Sequence, residues 1–591
     1  MWTRALAVIG ALALVGATLV SGSGGPTPTA VAQETAGLEF VISTADGVQE
    51  QRAPGRMFVL VSRSGDTEPR FQVDVVDGIP FWGRNVSLRP GEEVALSDGR
   101  NTYGYPLRKM SQLPPGDYHV QAFFNRYSRF DRSDGSTVRL PMPCGDGQSM
   151  FEQPDNLYSE VQQVTLEPMS SQTVELVLDQ RIEPADPVPD GGTCQQGNPA
   201  DSEHVKHVKI RSEVLSEYWG RPMYIAANVL LPAGYDDPAN RTVRYPLVVR
   251  HGHFPSSPPF RFAEDGSNEF SQWWLSDAAP RMVAVEIRHE NPYNDDSYAV
   301  NSRNLGPYGD AINAELLPEI EREFRTIGQR WARVLTGGST GGWEAMATQM
   351  FYPDLYQGTW ALCPDSLDFR RHQIVDVYED GNAYFTQHEW ERVARPSARE
   401  VSGDIIWTMG QENHFELALG TASRSGGQWD IWEAVFGPQR ADGYPARVWN
   451  KATGKIDHEV AEAWRPFDLR AKIVEEWPEL GPKLTDQLHV YVGDDDTYFL
   501  NLGVELFQEA VEQLDNPPAN AEFVYGANQP HCWSPYTSEE LLDVMADHIV
   551  AQAPGGADTA QWAGPDAEAA RAARRPGGHV ENDRARGGRG Q

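Results

Sequence analysis

Residues 333–350 read RVLTGGSTGGWEAMATQM and set one serine, Ser339, between glycines at positions 337, 338, 341 and 342. An apolar run precedes this turn and a helix-forming run follows it. A serine on a sharp strand-to-helix turn stands in strained backbone, and the residues two before and two after it pass so close that a Cβ would clash. Glycine at 337 and 341 removes that clash. The start of the helix then aims backbone N–H groups and its positive dipole end at the serine, where a developing oxyanion can be held. The spacing points to acyl transfer through Ser339. The competing reading is a glycine-rich turn with a serine of no chemical role, and the partner residues must decide.

A serine hydroxyl is a weak nucleophile until a histidine takes its proton and an acid orients that histidine; on a strand-turn-helix frame the chain order is Ser, Asp or Glu, His. Both partners follow Ser339. The run LHVYVGDDDTYFLN at 488–501 reads as a strand ending at Gly493, with Asp494, Asp495 and Asp496 after it. His531 falls in a loop between the strand AEFVYG and a C-terminal helix. Asp496 is the expected acid, because the loop must leave the strand before its carboxylate turns towards the histidine; Asp494 is the alternative, and an acidic turn or a cation site is the reading without catalysis. The oxyanion donors expected are the N–H of Thr340 and that of Gly252 or His253 in YPLVVRHGHFP, a loop that departs from the H-G-G-G form. No Cys or His cluster has zinc spacing, so no metal is expected, at His251 or His253 or elsewhere.

The elements that must position these residues show as a change of pattern along the chain. From residue 33 to 180 short β-rich runs, RMFVLVSRS, FQVDVVDG, GDYHVQAFFNRY and QTVELVLDQ, are separated by Gly, Pro, Asn and Asp, which predicts an all-β, sandwich-like domain. A Pro-, Gly- and acid-rich linker spans 181–203. From 204 to 553 strands alternate with helices, which predicts βαβ units and a mostly parallel sheet. Strand candidates include MYIAANVLLPAGYDD, YPLVVRHGHF, RMVAVEIRHE, WARVLTGGS and GTWALCPD, and HVKH at 204–207 belongs to another alternating strand. Active sites of open α/β sheets form at the carboxyl ends of such strands. Residues 365–485 are far too long for a loop and are rich in tryptophan, with Trp390, Trp407, Trp429, Trp432, Trp449 and Trp464 among them, so they should form a mainly helical insertion, either a cap over the site or a layer with buried tryptophans. Residues 554–591 lack apolar periodicity and read as a disordered tail.

The chain has 591 residues, a formal charge of −34 and four cysteines. That charge argues against nucleic acid and anionic membranes as partners. Residues 1–32 carry a basic Arg4, a 16-residue apolar run and the A-x-A site Ala30-Val31-Ala32, the pattern of a secretory signal peptide cleaved near Ala32. The run is shorter than a spanning helix needs, so no stable membrane insertion is expected after cleavage. In an exported chain four cysteines suggest two disulfides. Three connectivities are possible; Cys144 with Cys194 and Cys363 with Cys532 is the economical one.

At VLLPAGYDD, YPLVVRHGH, ELLPEIEREFRTIGQRWARVLTGGSTGGWEAMATQMFYPDLYQG and PHCWSP the chain resembles the esterase D-like or "putative esterase" family of α/β-hydrolases, with its enterobactin-esterase-like, feruloyl-esterase-like and mycolyltransferase-like members. The resemblance covers about 229–550, interrupted by the insertion. It implies an α/β-hydrolase fold and cofactor-free carboxylic ester hydrolysis, with Ser339 as nucleophile, His531 as base and Asp496 as orienting acid. Some relatives of this kind pin the histidine loop with a cysteine beside the nucleophile; here that neighbour is Gly338. The N-terminal β-rich region and the insertion lie outside the resemblance, so the substrate, a small ester or an ester on a glycan, does not follow from it, nor does oligomeric state.

Other classes fit less well. A peptidase or acyltransferase would use the same residues, but peptidases of this fold commonly carry a repetitive propeller that is lacking here. An exported binding protein on an inactive scaffold would not need all three residue types in order. A glycosidase built on Asp494 to Asp496 fails because catalytic carboxylates flank a bond about 5 Å or more apart, which neighbours on one turn cannot do.

Overall fold

The computed structural model describes residues 37–142, 149–183, 200–252 and 258–563. The segment read as a signal peptide, Cys144, Cys194, His253, most of the linker and the end of the tail lie outside them.

Eight strands form one sheet: β1 (Val205–Ser212), β2 (Met223–Leu230), β3 (Leu247–His251), β4 (Val283–Arg288), β5 (Arg333–Gly338), β6 (Thr359–Leu362), β7 (Leu488–Gly493) and β8 (Glu522–Gly526), in the order β1-β2-β4-β3-β5-β6-β7-β8. β1 and β2 pair antiparallel, as do β2 and β4; the other five pairings are parallel. Strands covered on both faces need apolar side chains on both, and β4 and β5 are buried along nearly their whole length. The carboxyl ends of β3, β5 and β6 therefore lie side by side, with His251 opposite Gly337 and Gly338 opposite Leu362. Helix α1 (Thr340–Phe351) starts directly from the end of β5 and is buried over almost its full length. The helix expected over DAINAELLPEIEREF runs from 308 to 323 and contains a π-helical stretch at Ala311–Leu316.

The N-terminal region is β-rich, as expected. Its main strands are hydrogen-bonded into one nine-stranded sheet, and the first and last of them, Leu38–Thr44 and Gln172–Arg181, pair parallel. Phe40, Val59, Val120 and Leu176 share one core, while Phe58, Phe81 and Phe123 belong to a second. FQVDVVDG is not a strand. The Asp74 carboxylate accepts from the backbone N–H of Val76 at 2.7 Å and of Asp77 at 3.2 Å, an Asx turn that replaces ladder pairing. The tail also begins in order: Trp562 is 2% exposed, and its carbonyl accepts from the Arg281 N–H. A single buried indole holds a segment that its periodicity marks as structureless.

The insertion between β6 and β7 carries two β-hairpins besides its helices, Phe385–Gln387 with Arg392–Ala394 and Pro396–Arg399 with Ile405–Thr408. They precede α2 (Met409–Leu419) and α3 (Gln428–Phe436). Trp429, Trp432, Trp449 and Trp464 are buried, Trp407 is half-buried and Trp390 is exposed. The N-terminal sheet supports this layer. Buried Arg56 donates to the carbonyls of Leu417 and Ala418 at the end of α2, where helix carbonyls lack partners and the dipole is negative. Phe415 of α2 lies edge-on against Phe81 and Tyr105. Lys451 is buried between Glu416 of α2 and Asp430 of α3 and pairs with both. The described residues pack as one compact unit, and none of their helices is long and apolar enough to cross a membrane.

His372 is fully buried among Phe369, Trp429, Trp432 and Trp464, and burial pushes its imidazole down to about 3. A histidine kept neutral by the fold contributes stability that is complete above its unfolded value near 6.5 and is lost as pH falls from there towards about 3. Its share of the loss approaches about 1.4 kcal/mol per pH unit. His372→Phe should therefore lose less stability than the wild type between pH ~6.5 and ~4.5 in denaturant titrations. Equal slopes would contradict the assignment.

Candidate active site

Ser339 caps α1 with φ 57° and ψ −124°, a conformation that L-residues rarely adopt. The surrounding backbone imposes it. A Cβ on Gly337 would run into the Gly341 carbonyl, and one on Gly341 would run into the carbonyl of His251 at the end of β3. The Ser339 N–H donates to the Leu362 carbonyl at 2.9 Å, while its own carbonyl accepts from Gly342, Trp343 and Asp365. The side chain is left facing a cavity of about 900 Å³.

His531 meets it across 192 residues of chain. Its Nε2 lies 3.0 Å from Ser339 Oγ and its Nδ1 2.7 Å from Asp496 Oδ2. With a carboxylate at Nδ1 the ring carries its proton there, which leaves the Nε2 lone pair for the serine hydroxyl. Asp496 is fully buried. Its other oxygen accepts from the N–H groups of Tyr498 at 2.9 Å and Leu500 at 3.2 Å, so it is held on both sides. Asp494 is exposed and turns away, accepting from the N–H of Asn528 at 2.6 Å. Arg399, from the second hairpin of the insertion, donates to the carbonyls of Asp494 and Asp496 and fixes the acid loop. The ring of Tyr498 stands edge-on to that of His531 at 4.8 Å.

Of the expected oxyanion donors, Thr340 is buried beside the serine and Gly252 lines the cavity; His253 lies outside the described residues. Cys363 and Cys532 form a disulfide with Cα atoms 4.8 Å apart, which ties the residue after His531 to the end of β6. The Cys144–Cys194 pairing lies outside the described residues.

Sequence reasoning missed a network behind the serine. Tyr298 OH donates to Asp365 Oδ2 at 2.5 Å and accepts from Trp432 Nε1 and Gln428 Nε2 of α3. Thr340 Oγ1 donates to the same Asp365 oxygen at 3.1 Å. Burial and the Asp365 charge hold the Tyr298 phenol well above its ordinary range, so it stays neutral and keeps its donor. The network joins the insertion to the turn that carries the nucleophile candidate. Cavity walls combine Trp407, Trp432 and Tyr498 with polar Gln373, Gln428 and Glu412. Burial raises Glu412 above the usual carboxylate range, even though it accepts from Ser397 and Trp429. The one sequence cue to this network was the length of the insertion, since the contacts from α3 to Tyr298 span more than a hundred residues.

An eight-stranded, largely parallel sheet with a serine at a strained turn from the fifth strand into a helix is the α/β-hydrolase fold. Residues 216–513, just over half of the chain, match the family model described as "Putative esterase"; the chain belongs to that family and is a carboxylic ester hydrolase. Similar solved structures include a ferulic acid esterase, 16% identical, covering 55% of this chain and 91% of its own, with a TM-score of 0.32. An S-formylglutathione hydrolase from Agrobacterium tumefaciens is 13% identical over 59% of this chain and 94% of its own, with a TM-score of 0.32. The fluorophosphonate-binding serine hydrolase FphF of Staphylococcus aureus is 13% identical over 58% and 98%, with a TM-score of 0.33. No curated protein matches the chain.

The disulfide bears on the histidine loop more directly than on the core. Replacing Cys363 and Cys532 together by serine should lower turnover of a nitrophenyl ester by about tenfold or more, measured well below the variant's Tm, because a misplacement of about 1 Å in a reacting group costs on that scale or above. Unchanged turnover in a folded variant would mean that the bridge serves folding alone.

Proposed function

We propose that the protein is a secreted serine hydrolase that cleaves carboxylic esters through Ser339, His531 and Asp496 by way of an acyl-enzyme. The observation that carries the reading is the pair of contacts on one imidazole, 3.0 Å to Ser339 Oγ and 2.7 Å to Asp496 Oδ2. Ser339 Oγ attacks the ester carbonyl carbon while His531 Nε2 takes the hydroxyl proton. The tetrahedral oxyanion is met by the N–H of Thr340 and by an N–H of the loop at Gly252. Collapse of the intermediate expels the alcohol, which leaves with the proton from His531. Water, deprotonated by the same nitrogen, attacks the acyl-enzyme, releases the acid and returns the proton to Ser339.

The fold is read as a mostly parallel α/β-hydrolase domain with the insertion as cap, preceded by an all-β accessory domain. A substrate with one apolar or ring-shaped part suits walls of Trp407, Trp432 and Tyr498, and the polar residues between them suit hydroxyl-bearing partners, including an ester carried on a glycan. Export is supported by the signal-like first 32 residues together with the Cys363–Cys532 disulfide. The strong negative charge disfavours nucleic acid as a partner.

Hydrolysis of nitrophenyl acetate, butyrate and octanoate tests the assignment. Ser339→Ala should lower kcat by about 10⁴-fold or more, and Asp496→Asn by about 10²- to 10⁴-fold. Asp494→Asn should stay within about threefold, because its carboxylate holds a backbone N–H rather than the imidazole. An Asp494 variant as impaired as the Asp496 variant would overturn the choice of acid, and a Ser339→Ala variant as active as wild type would overturn the mechanism.

A further inference from the structure

Behind the oxyanion loop three buried side chains converge from the elements that build the active site. His251 ends β3, His289 follows β4 and Glu344 lies in α1; they are 0%, 3% and 0% exposed. His289 Nε2 lies 3.4 Å from Glu344 Oε1 and His251 Nδ1 lies 3.9 Å from Glu344 Oε2. One potential ligand atom from each falls within 4.8 Å of those of the other two. Both ring nitrogens of His251 and Nε2 of His289 make no hydrogen bond, while Glu344 has the Asp296 carboxyl as its hydrogen-bond partner. Burying that many polar atoms without partners is costly.

Ion pairing within the group does not resolve the cost. The nearby Arg250 is already paired with Glu286. What the cluster lacks is a positive charge that can accept lone pairs from two imidazoles and a carboxylate at one point.

We propose that His251, His289 and Glu344 hold a single zinc ion, a structural site that ties the ends of β3 and β4 to the helix carrying the nucleophile. Two imidazoles and a carboxylate suit zinc. Ligand atoms at about 2.0–2.2 Å from a tetrahedral ion stand roughly 3.4 Å apart, the separation already present between His289 and Glu344. The wider pairs close by side-chain rotation. Binding through His289 Nε2 requires the proton on Nδ1, where Ser297 Oγ at 3.0 Å can accept it; the Ser297 N–H, now 3.1 Å from Nδ1, gives up that bond. Asp296, on the same loop and beside Glu344, or a water completes the shell. The ligands come from three separate elements, which is why no spacing in the sequence signals them.

The test uses the full mature chain, purified without a metal-affinity tag and dialysed. Elemental analysis should find close to one zinc per chain, and Glu344→Gln should lower that severalfold. Stripping the wild type with a strong chelator should lower its Tm by several degrees, and zinc should restore it where calcium does not, because an ion that binds the folded state stabilises it by mass action. The wild-type Tm readout stands even if the variant fails to fold. Wild type that carries no zinc after refolding in its presence, with a Tm indifferent to zinc and chelator, would overturn the proposal. So would full zinc retention by a folded Glu344→Gln variant.

Discussion

The close backbone approach at the end of β5 is the constraint on which the rest of this structure depends. Gly337, Ser339 and Gly341 fit under the His251 carbonyl only because the two glycines have no side chain, and Ser339 is held at a positive φ as a result. Such a conformation persists where its surroundings over-determine it. Here they do so through the parallel register of β3, β5 and β6, the bond from the Ser339 N–H to Leu362, and three N–H groups gathered on the Ser339 carbonyl. The sheet supplies the rigidity and the turn supplies the reactive geometry.

The insertion acts as part of that scaffold. Arg399 grips the acid loop, and Trp432 and Gln428 reach the serine turn through Tyr298 and Asp365. Behind these contacts, Lys451 locks α2 to α3, and Arg56 of the N-terminal sheet closes the end of α2. A chain of buried, charge-assisted hydrogen bonds thus runs from the N-terminal sheet to the wall of the cavity. Such bonds are strong when complete and costly when one partner is lost, so the wall should be firm.

Much of this was legible in the sequence, for reasons that are local. Buried strands read as apolar runs, and the strands of the α/β sheet did so apart from β1, which showed as an alternating segment. The nucleophile candidate announced itself because its geometry demands glycines at fixed offsets. Asp496 was preferred to Asp494 because the loop needs length to turn back towards His531, and the Asp496 carboxylate lies 2.7 Å from His531 Nδ1. Other features failed for equally physical reasons. FQVDVVDG alternates like a strand, yet one aspartate side chain outcompetes the ladder. The short polar hairpins of the insertion lack an apolar face to betray them. Asp365, Tyr298 and Gln428 carry no motif, because their role exists only when distant segments meet. Trp562 shows the reverse case, one apolar anchor in a run whose composition reads as disorder.

The most direct test of the central claim, that His531 activates Ser339 as a nucleophile, is to treat the folded protein with a fluorophosphonate at pH ~7.5 and map the adduct by peptide mass spectrometry. The account predicts one stoichiometric adduct on the peptide containing Ser339, lost in unfolded protein and formed about a hundredfold or more slowly in His531→Ala, in line with what loss of a catalytic base costs. No adduct on Ser339 in folded protein, or labelling that is indifferent to His531, would contradict it.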